Sequence, residues 1–233
     1  MPYMASNTLE GSISSSGSGV GLSTDLEALG IDDSEAVFGG RIDLQGTSSH
    51  WSISHSSTSS SATGGDLFDD LEIDGVTLDE LVPVDTEMEV GATSILWTHD
   101  WGLGDTAHFG LGFGVTALQL GADFSGEEPG GGAVTASMDE TLPVPLIGVR
   151  LGGDVGPIRL EASYAFLNVD AEDAEVSVTD FDVYTGLDIL GDLGSLVIGY
   201  REFSIDAEFD SDSDSANLDL TLGGPYAGVR FGF

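Results

Sequence analysis

Apolar residues in this chain recur at every second position over long stretches, the spacing of a half-buried strand. In Phe109-Gly110-Leu111-Gly112-Phe113-Gly114-Val115-Thr116-Ala117 the bulky apolar residues take one face and glycine takes the other. Ile158-Arg159-Leu160-Glu161-Ala162-Ser163-Tyr164-Ala165-Phe166 repeats the alternation, with charges on the second face. Ala36-Val37-Phe38-Gly39-Gly40-Arg41-Ile42-Asp43-Leu44 does the same. A helix would scatter these residues around its circumference.

The punctuation between strands alternates too. Tight turns are predicted at Thr47-Ser48-Ser49, Gly102-Leu103-Gly104-Asp105, Gly152-Gly153-Asp154-Val155-Gly156-Pro157 and Gly191-Asp192-Leu193-Gly194. Longer polar loops fall between them, at 25–35, 63–85, 124–133, 170–175 and 210–217. Short turns at one end and long loops at the other are the rhythm of a transmembrane up-and-down antiparallel β-barrel. The segments divide into about ten strands, with eight and twelve also compatible because Ser52 to Leu78 is hard to divide. Asp74-Gly75 within that stretch reads as a hairpin turn. Trp51, Trp97, Trp101, Phe109, Phe231 and Phe233 fall near the predicted short-turn ends, where a barrel carries an aromatic girdle. A soluble two-sheet sandwich shares the alternation and is the competing architecture.

Composition narrows the partners. The chain of 233 residues has a formal net charge of −36, from 41 acids against five bases. All five bases are arginine, and none lies in a predicted loop. Phosphate contacts need a basic patch, so nucleic acid is not an expected partner. Without cysteine there is neither a disulfide framework nor a thiolate metal site. No apolar run is long enough for a membrane-spanning helix, which leaves a barrel untouched because its strands are short and half apolar. Residues 1–6 lack a basic start and an apolar stretch. They read as a foreign or disordered lead-in to a single barrel domain over 7–233, behind any export signal.

The last segment, Gly223-Gly224-Pro225-Tyr226-Ala227-Gly228-Val229-Arg230-Phe231-Gly232-Phe233, resembles the closing strand of bacterial outer-membrane barrels, which ends in an aromatic residue. Ile198-Gly199-Tyr200-Arg201-Glu202-Phe203 is similar to a penultimate strand of small OmpA-like barrels. The resemblance implies residence in the bacterial outer membrane, contact with its lipid, and recognition by the barrel-assembly machinery through Phe233. It implies no single activity, because the class holds anchors, pores, adhesins and lipid-modifying enzymes.

Within such a barrel the alternation turns Arg41, Arg150, Arg159, Arg201 and Arg230 toward the lumen. Asp43, Glu161 and Glu202 are their expected carboxylate partners. The planar guanidinium fork binds carboxylates bidentately, so a structural charge network filling a narrow lumen is one reading and an anion or substrate site is the other. The glycines at 110, 112 and 114 leave room for larger neighbours or for a narrow channel. Asp210, Asp212 and Asp214 offer hard oxygen ligands for a divalent cation, in competition with simple solvation of an acidic loop. They do not form an EF-hand loop, because Ser215 stands where glycine is required. No other cofactor is expected. His50-Trp51-Ser52 and His55-Ser56-Ser57 place a base and a hydroxyl on one strand face, but no orienting third group is evident.

These observations predict a small outer-membrane barrel with a largely closed lumen and acidic outer loops. Its expected role is structural or in surface interaction, and the chain is not expected to be an enzyme. A narrow porin-like pore and a lipid-modifying enzyme are the alternatives. Leu218, Leu220 and Leu222 are even-numbered, whereas Pro225, Ala227, Val229, Phe231 and Phe233 are odd. If both sets face lipid, a bulge at Gly223-Gly224 must reverse the phase.

Overall fold

A computed structural model describes residues 1–17, 20–25, 35–66, 71–73, 76–78, 83–127, 133–171, 174–189, 194–210 and 215–231. Among the described residues thirteen strands follow one another: β1 (Pro2–Gly17), β2 (Val20–Asp25), β3 (Glu35–Gln45), β4 (Ser49–Asp66), β5 (Leu71–Ile73), β6 (Val76–Leu78), β7 (Pro83–Leu103), β8 (Ala107–Glu127), β9 (Ala133–Val155), β10 (Ile158–Ala171), β11 (Ala174–Asp188), β12 (Gly194–Asp210) and β13 (Ser215–Phe231). Each neighbouring pair in the main sheet is antiparallel, and β13 returns to pair with β1, closing the ring. Strands β2 and β3 pair with different stretches of the same edge of β1, so they share one place. The eleven-stranded sheet is therefore a ring of ten positions. Strands β5 and β6 form a separate two-stranded sheet in which Ile73 pairs with Val76, and the turn expected at Asp74-Gly75 lies outside the described residues.

The short connections at 46–48, 104–106 and 156–157 lie where the turn signals predict, and the turn expected at Gly191-Asp192-Leu193-Gly194 falls, but for Gly194, outside the described residues. The left-handed backbone at Gly104 (φ 79°) and Gly156 (φ 62°) shows why glycine stands in two of them. Residues 1–6 are not a lead-in outside the domain. Strand β1 begins at Pro2, buries Tyr3 and Ala5 in the lumen, and pairs on one side with β13 and on the other with β3.

The outer face of the ring carries an apolar belt. Leu111, Phe113 and Val115 point outward and are exposed, Phe113 by 62%, while Gly110, Gly112 and Gly114 face inward. Ile147 and Leu151 on β9, Leu160 and Phe166 on β10, and Leu196 and Ile198 on β12 extend the belt around the ring. A sandwich would have hidden these residues between sheets. The eleven residues from Ala107 to Ala117, at about 3.3 Å each and a tilt of about 40°, give a band about 25 Å tall, matching a membrane's apolar core.

The lumen differs from expectation toward the long-loop end. There Val90, Leu118, Val178, Phe203, Leu220 and Leu222 face inward and form one packed apolar cluster. The outward positions at that end are acidic: Glu87 and Glu89 on β7, Asp123 on β8, Asp139 on β9, Asp206 and Glu208 on β12. The same strands thus exchange polarity between their two faces partway along. This exchange explains the apolar phase change in β13 without a bulge. Pairing of β12 with β13 runs in constant register from Gly194↔Phe231 to Asp210↔Ser215. Leu220 and Leu222 face the lumen core while Pro225, Ala227 and Val229 face outward. The predicted phase-reversing bulge is absent because the two apolar sets occupy opposite sides of the wall.

Candidate functional site

The lumen toward the short-turn end is a floor of charges delivered by successive strands. Strand β3 supplies Arg41 and Asp43 at alternate positions, which places both inside. Arg41 Nε donates to Asp43 at 2.9 Å, and its Nη1 reaches across the barrel to Asp182 on β11. Tyr226 on β13 donates to the other oxygen of Asp182 at 2.8 Å, and the ring of Tyr184 lies 5.2 Å from the guanidinium carbon. His50 on β4 sets its Nε2 3.2 Å from Asp43.

A second unit centres on Arg150 of β9. Its Nη1 donates to Asp100 on β7 at 2.6 Å and its Nη2 to Glu161 on β10 at 2.8 Å. Thr98 donates to Asp100 at 2.7 Å, and His108 Nε2 lies 3.2 Å from Glu161. Arg150 and Glu161 are buried, as are Arg41 and Asp182. A third contact is higher in the lumen: Arg201 of β12 engages both oxygens of Asp180 on β11, at 3.1 and 2.8 Å, and also donates to Ser94.

Glu202 is not part of this network. It follows Arg201 directly, so strand alternation turns it to the outer face, where it accepts from Tyr200 at 2.7 Å. Arg159 is half-buried at the rim and makes a bidentate contact with exposed Asp154 at 2.8 and 3.3 Å. Arg230 is also half-buried on the inward face, with no ion pair among the described residues. Asp212 and Asp214 lie outside the described residues, and Asp210 is described only through its backbone in β12. Among the described residues no group of three or more His, Asp or Glu is arranged to hold a metal ion.

The glycine face makes room for neighbours on adjacent strands. A side chain at Gly110 would run into Asp100, and one at Gly148 into Leu96. Gly39 and Gly199 lie against the rings of Tyr3 and Tyr226 in the same way. Small-against-large packing thus lets the long arginine and tyrosine side chains fold across the lumen.

Three lumen carboxylates and one imidazole carry no signal in the sequence beyond alternation, Asp100, Asp180, Asp182 and His108, and His50, expected as a base beside Ser52, instead contacts Asp43. Asp180 and Asp182 alternate with outward Phe181 and Val183, so the period that placed Arg41 also marks them. Asp180 meets Arg201 from the adjoining strand, whereas Asp182 meets Arg41 from a strand 141 residues away, a pairing that alternation does not identify.

The apolar belt, the closed ring and the polar floor are those of a bacterial outer-membrane barrel. The chain shares this fold with the outer membrane protease OmpT from Escherichia coli, at 11% identity and a TM-score of 0.62, over 100% of this chain and 96% of that one. The toluene transporter TodX from P. putida matches 99% of this chain and 89% of its own at 7% identity and a TM-score of 0.35. The translocator domain of the autotransporter NalP from Neisseria meningitidis matches 99% and 88% at 12% identity and a TM-score of 0.23. No protein-family model matches the chain, and no curated protein does. The likeness to a protease corrects the expectation that the chain is not an enzyme, because this barrel architecture is one that carries catalysis. The chain lacks a compact catalytic motif, but that lack does not decide the question. On a barrel the reacting groups come from separate strands, so such a motif need not exist.

Proposed function

We propose that the protein is a closed-lumen outer-membrane barrel that holds an acidic outer extension above the membrane, in a structural or surface-interaction role. One observation carries this reading: the lumen is filled at two successive levels, by the Arg–carboxylate floor and by the apolar cluster above it. A solute crossing the barrel would have to displace both. Filled interiors are the usual state of small barrels, and a packed apolar layer resists hydration. Outer-membrane lipid is the partner of the belt, and assembly through the terminal strand ending at Phe233 belongs to the same proposal, although Phe233 lies outside the described residues.

Planar-bilayer recording of the refolded protein tests the reading. The expected result is no sustained conductance at neutral pH. Steady ohmic steps would replace it with a narrow pore. Peptide cleavage by intact cells producing the barrel, measured alongside, decides whether the outer rim also carries chemistry.

A further inference from the structure

Above the lipid belt the ring of strands parts between β9 and β10. The two pair from Ile158↔Val155 up to Phe166↔Ile147 and no further. Beyond that point, among the described residues, β9 from Ala133 to Leu146 pairs only with β8, and β10 from Leu167 to Ala171 pairs only with β11. The sequence supplies the reason. Pro143 and Pro145 stand two apart in β9, so their ring nitrogens face the same edge. The register with β8 runs unbroken past both, which turns that edge toward β10. Two missing N–H donors deny β10 a ladder there, and they equally blunt the edge against any strand added from outside.

The seam is apolar within. Val144 and Leu146 on β9 are buried in the cluster that fills the upper lumen, and Leu167 and Val176 pack against it. At the mouth, Leu142 shares a face with buried Leu118, and Val169 shares one with Val176, yet they are 40% and 42% exposed. These inward-facing residues are uncovered where their strands lack a neighbour. From Ile147 to Leu142, at about 3.3 Å per residue, the seam runs about 16 Å. Its lower end meets the lipid belt, which on these strands reaches Ile147 and Phe166. Above them the outer surface turns polar, with Asn168 and Asp170 on β10 and Asp139 on β9.

We propose that the β9–β10 seam holds the acyl chain of a single-chain amphiphile that reaches it through the outer leaflet. An acyl chain needs no backbone partner, so the prolines that exclude a strand do not exclude it. It covers Leu142 and Val169 and continues the lipid contact of the belt into the apolar layer, removing that surface from water. Asp139, Glu140 and Asp170 are exposed on the strands beside the mouth, so the head carries no net negative charge. The inference stands whether or not the lumen conducts ions.

The test uses the whole barrel refolded into phosphatidylcholine vesicles, with a lysophosphatidylcholine bearing a diazirine at its chain end as the probe. After illumination the labelled residues are read by tandem mass spectrometry. The probe should label inward residues of the seam, Val144, Leu146 or Leu167, and excess unlabelled lysophosphatidylcholine should suppress that labelling. Labelling confined to outward belt residues such as Phe113 and Phe166 overturns the proposal, as does inward labelling that the excess does not suppress. Replacing both prolines, Pro143→Val with Pro145→Val, restores the donors and lets β9 pair with β10. Inward labelling should then be lost while belt labelling, which reports a folded and inserted barrel, remains. Inward labelling that persists undiminished in this variant overturns the seam as its route. If the double variant does not fold, Leu142→Glu sets a charge at the mouth and should abolish inward labelling, and no change there has the same overturning force. Strands β5 and β6 lie beside β9. Inward labelling that appears only after deletion of 71–78 gives the seam to that hairpin and overturns the lipid as its occupant.

Discussion

The membrane half of this barrel and its outer half are made from the same strands, yet they are inside-out versions of each other. On β8 the outward residues Leu111, Phe113 and Val115 give way to Gln119 and Asp123, while inward Gly110 and Gly112 give way to Leu118 and Ala122. Strands β7, β12 and β13 make the same exchange. Alternation along the chain never breaks, and what changes is the medium on each side. Within the bilayer the outer surface must be apolar and the lumen can hold paired charges. Beyond it, water wets the outer surface and the lumen becomes a core like that of a soluble protein. A groove of about 480 Å³ between outward Glu87, Glu89, Asp123 and Asp139 belongs to that wetted outer wall.

The largest test of this contrast removes a charge from the floor. Arg150→Met strands Asp100 and Glu161 together, and should cost about 3–5 kcal/mol, the penalty of breaking a buried ion pair. Unfolding in urea with the barrel in detergent would measure it. Adding Asp100→Asn and Glu161→Gln should return part of the loss, because the unpaired charges are then gone. A triple variant no better than Arg150→Met would mean that packing, not charge, matters there.

In the outer half the corresponding test is a cavity. Leu118 is 0% exposed, and Leu118→Ala should cost about 2–5 kcal/mol, as truncations in soluble cores do. A negligible cost would show the upper lumen to be loosely filled and would weaken the closed reading.

The next test moves one substitution along the outer face of β8. Phe113→Arg places a charge in the lipid belt and should cost about 2–4 kcal/mol in a bilayer. Gln119→Arg, on the same face beyond the belt, should stay within about 0.5 kcal/mol, as exposed surface changes do. Equal effects at the two sites, measured in lipid vesicles, would break the division into two halves.

The smallest effect is expected at Glu202. Its side chain faces outward and touches Tyr200, so Glu202→Gln should change stability by no more than about 0.5 kcal/mol. A loss as large as that of Arg150→Met would return Glu202 to the charge network.

Much of this was legible in the chain. Period-two alternation fixes which side chains share a face of a strand, and turn residues such as Gly104 and Gly156 fix where the chain reverses. Those rules are local and need only neighbours in sequence, so Arg41, Arg150 and Arg201 could be assigned inward and Phe113 outward. Glu202 shows the same rule applied inconsistently, since a residue adjacent to an inward arginine must point out.

What tertiary structure alone decided is which side of the wall an apolar face meets, and who meets whom across the lumen. Leu220 and Val229 are equally apolar in sequence, but one packs against Phe203 and its neighbours in the barrel interior while the other faces outward. Arg41 finds Asp182 from a strand 141 residues away, and Arg150 finds Asp100 from one 50 residues away. Such partners are set by ring closure and strand register, which arise from the summed pairing of all ten positions. Local alternation states the direction of a side chain, and only the closed ring states what is waiting there.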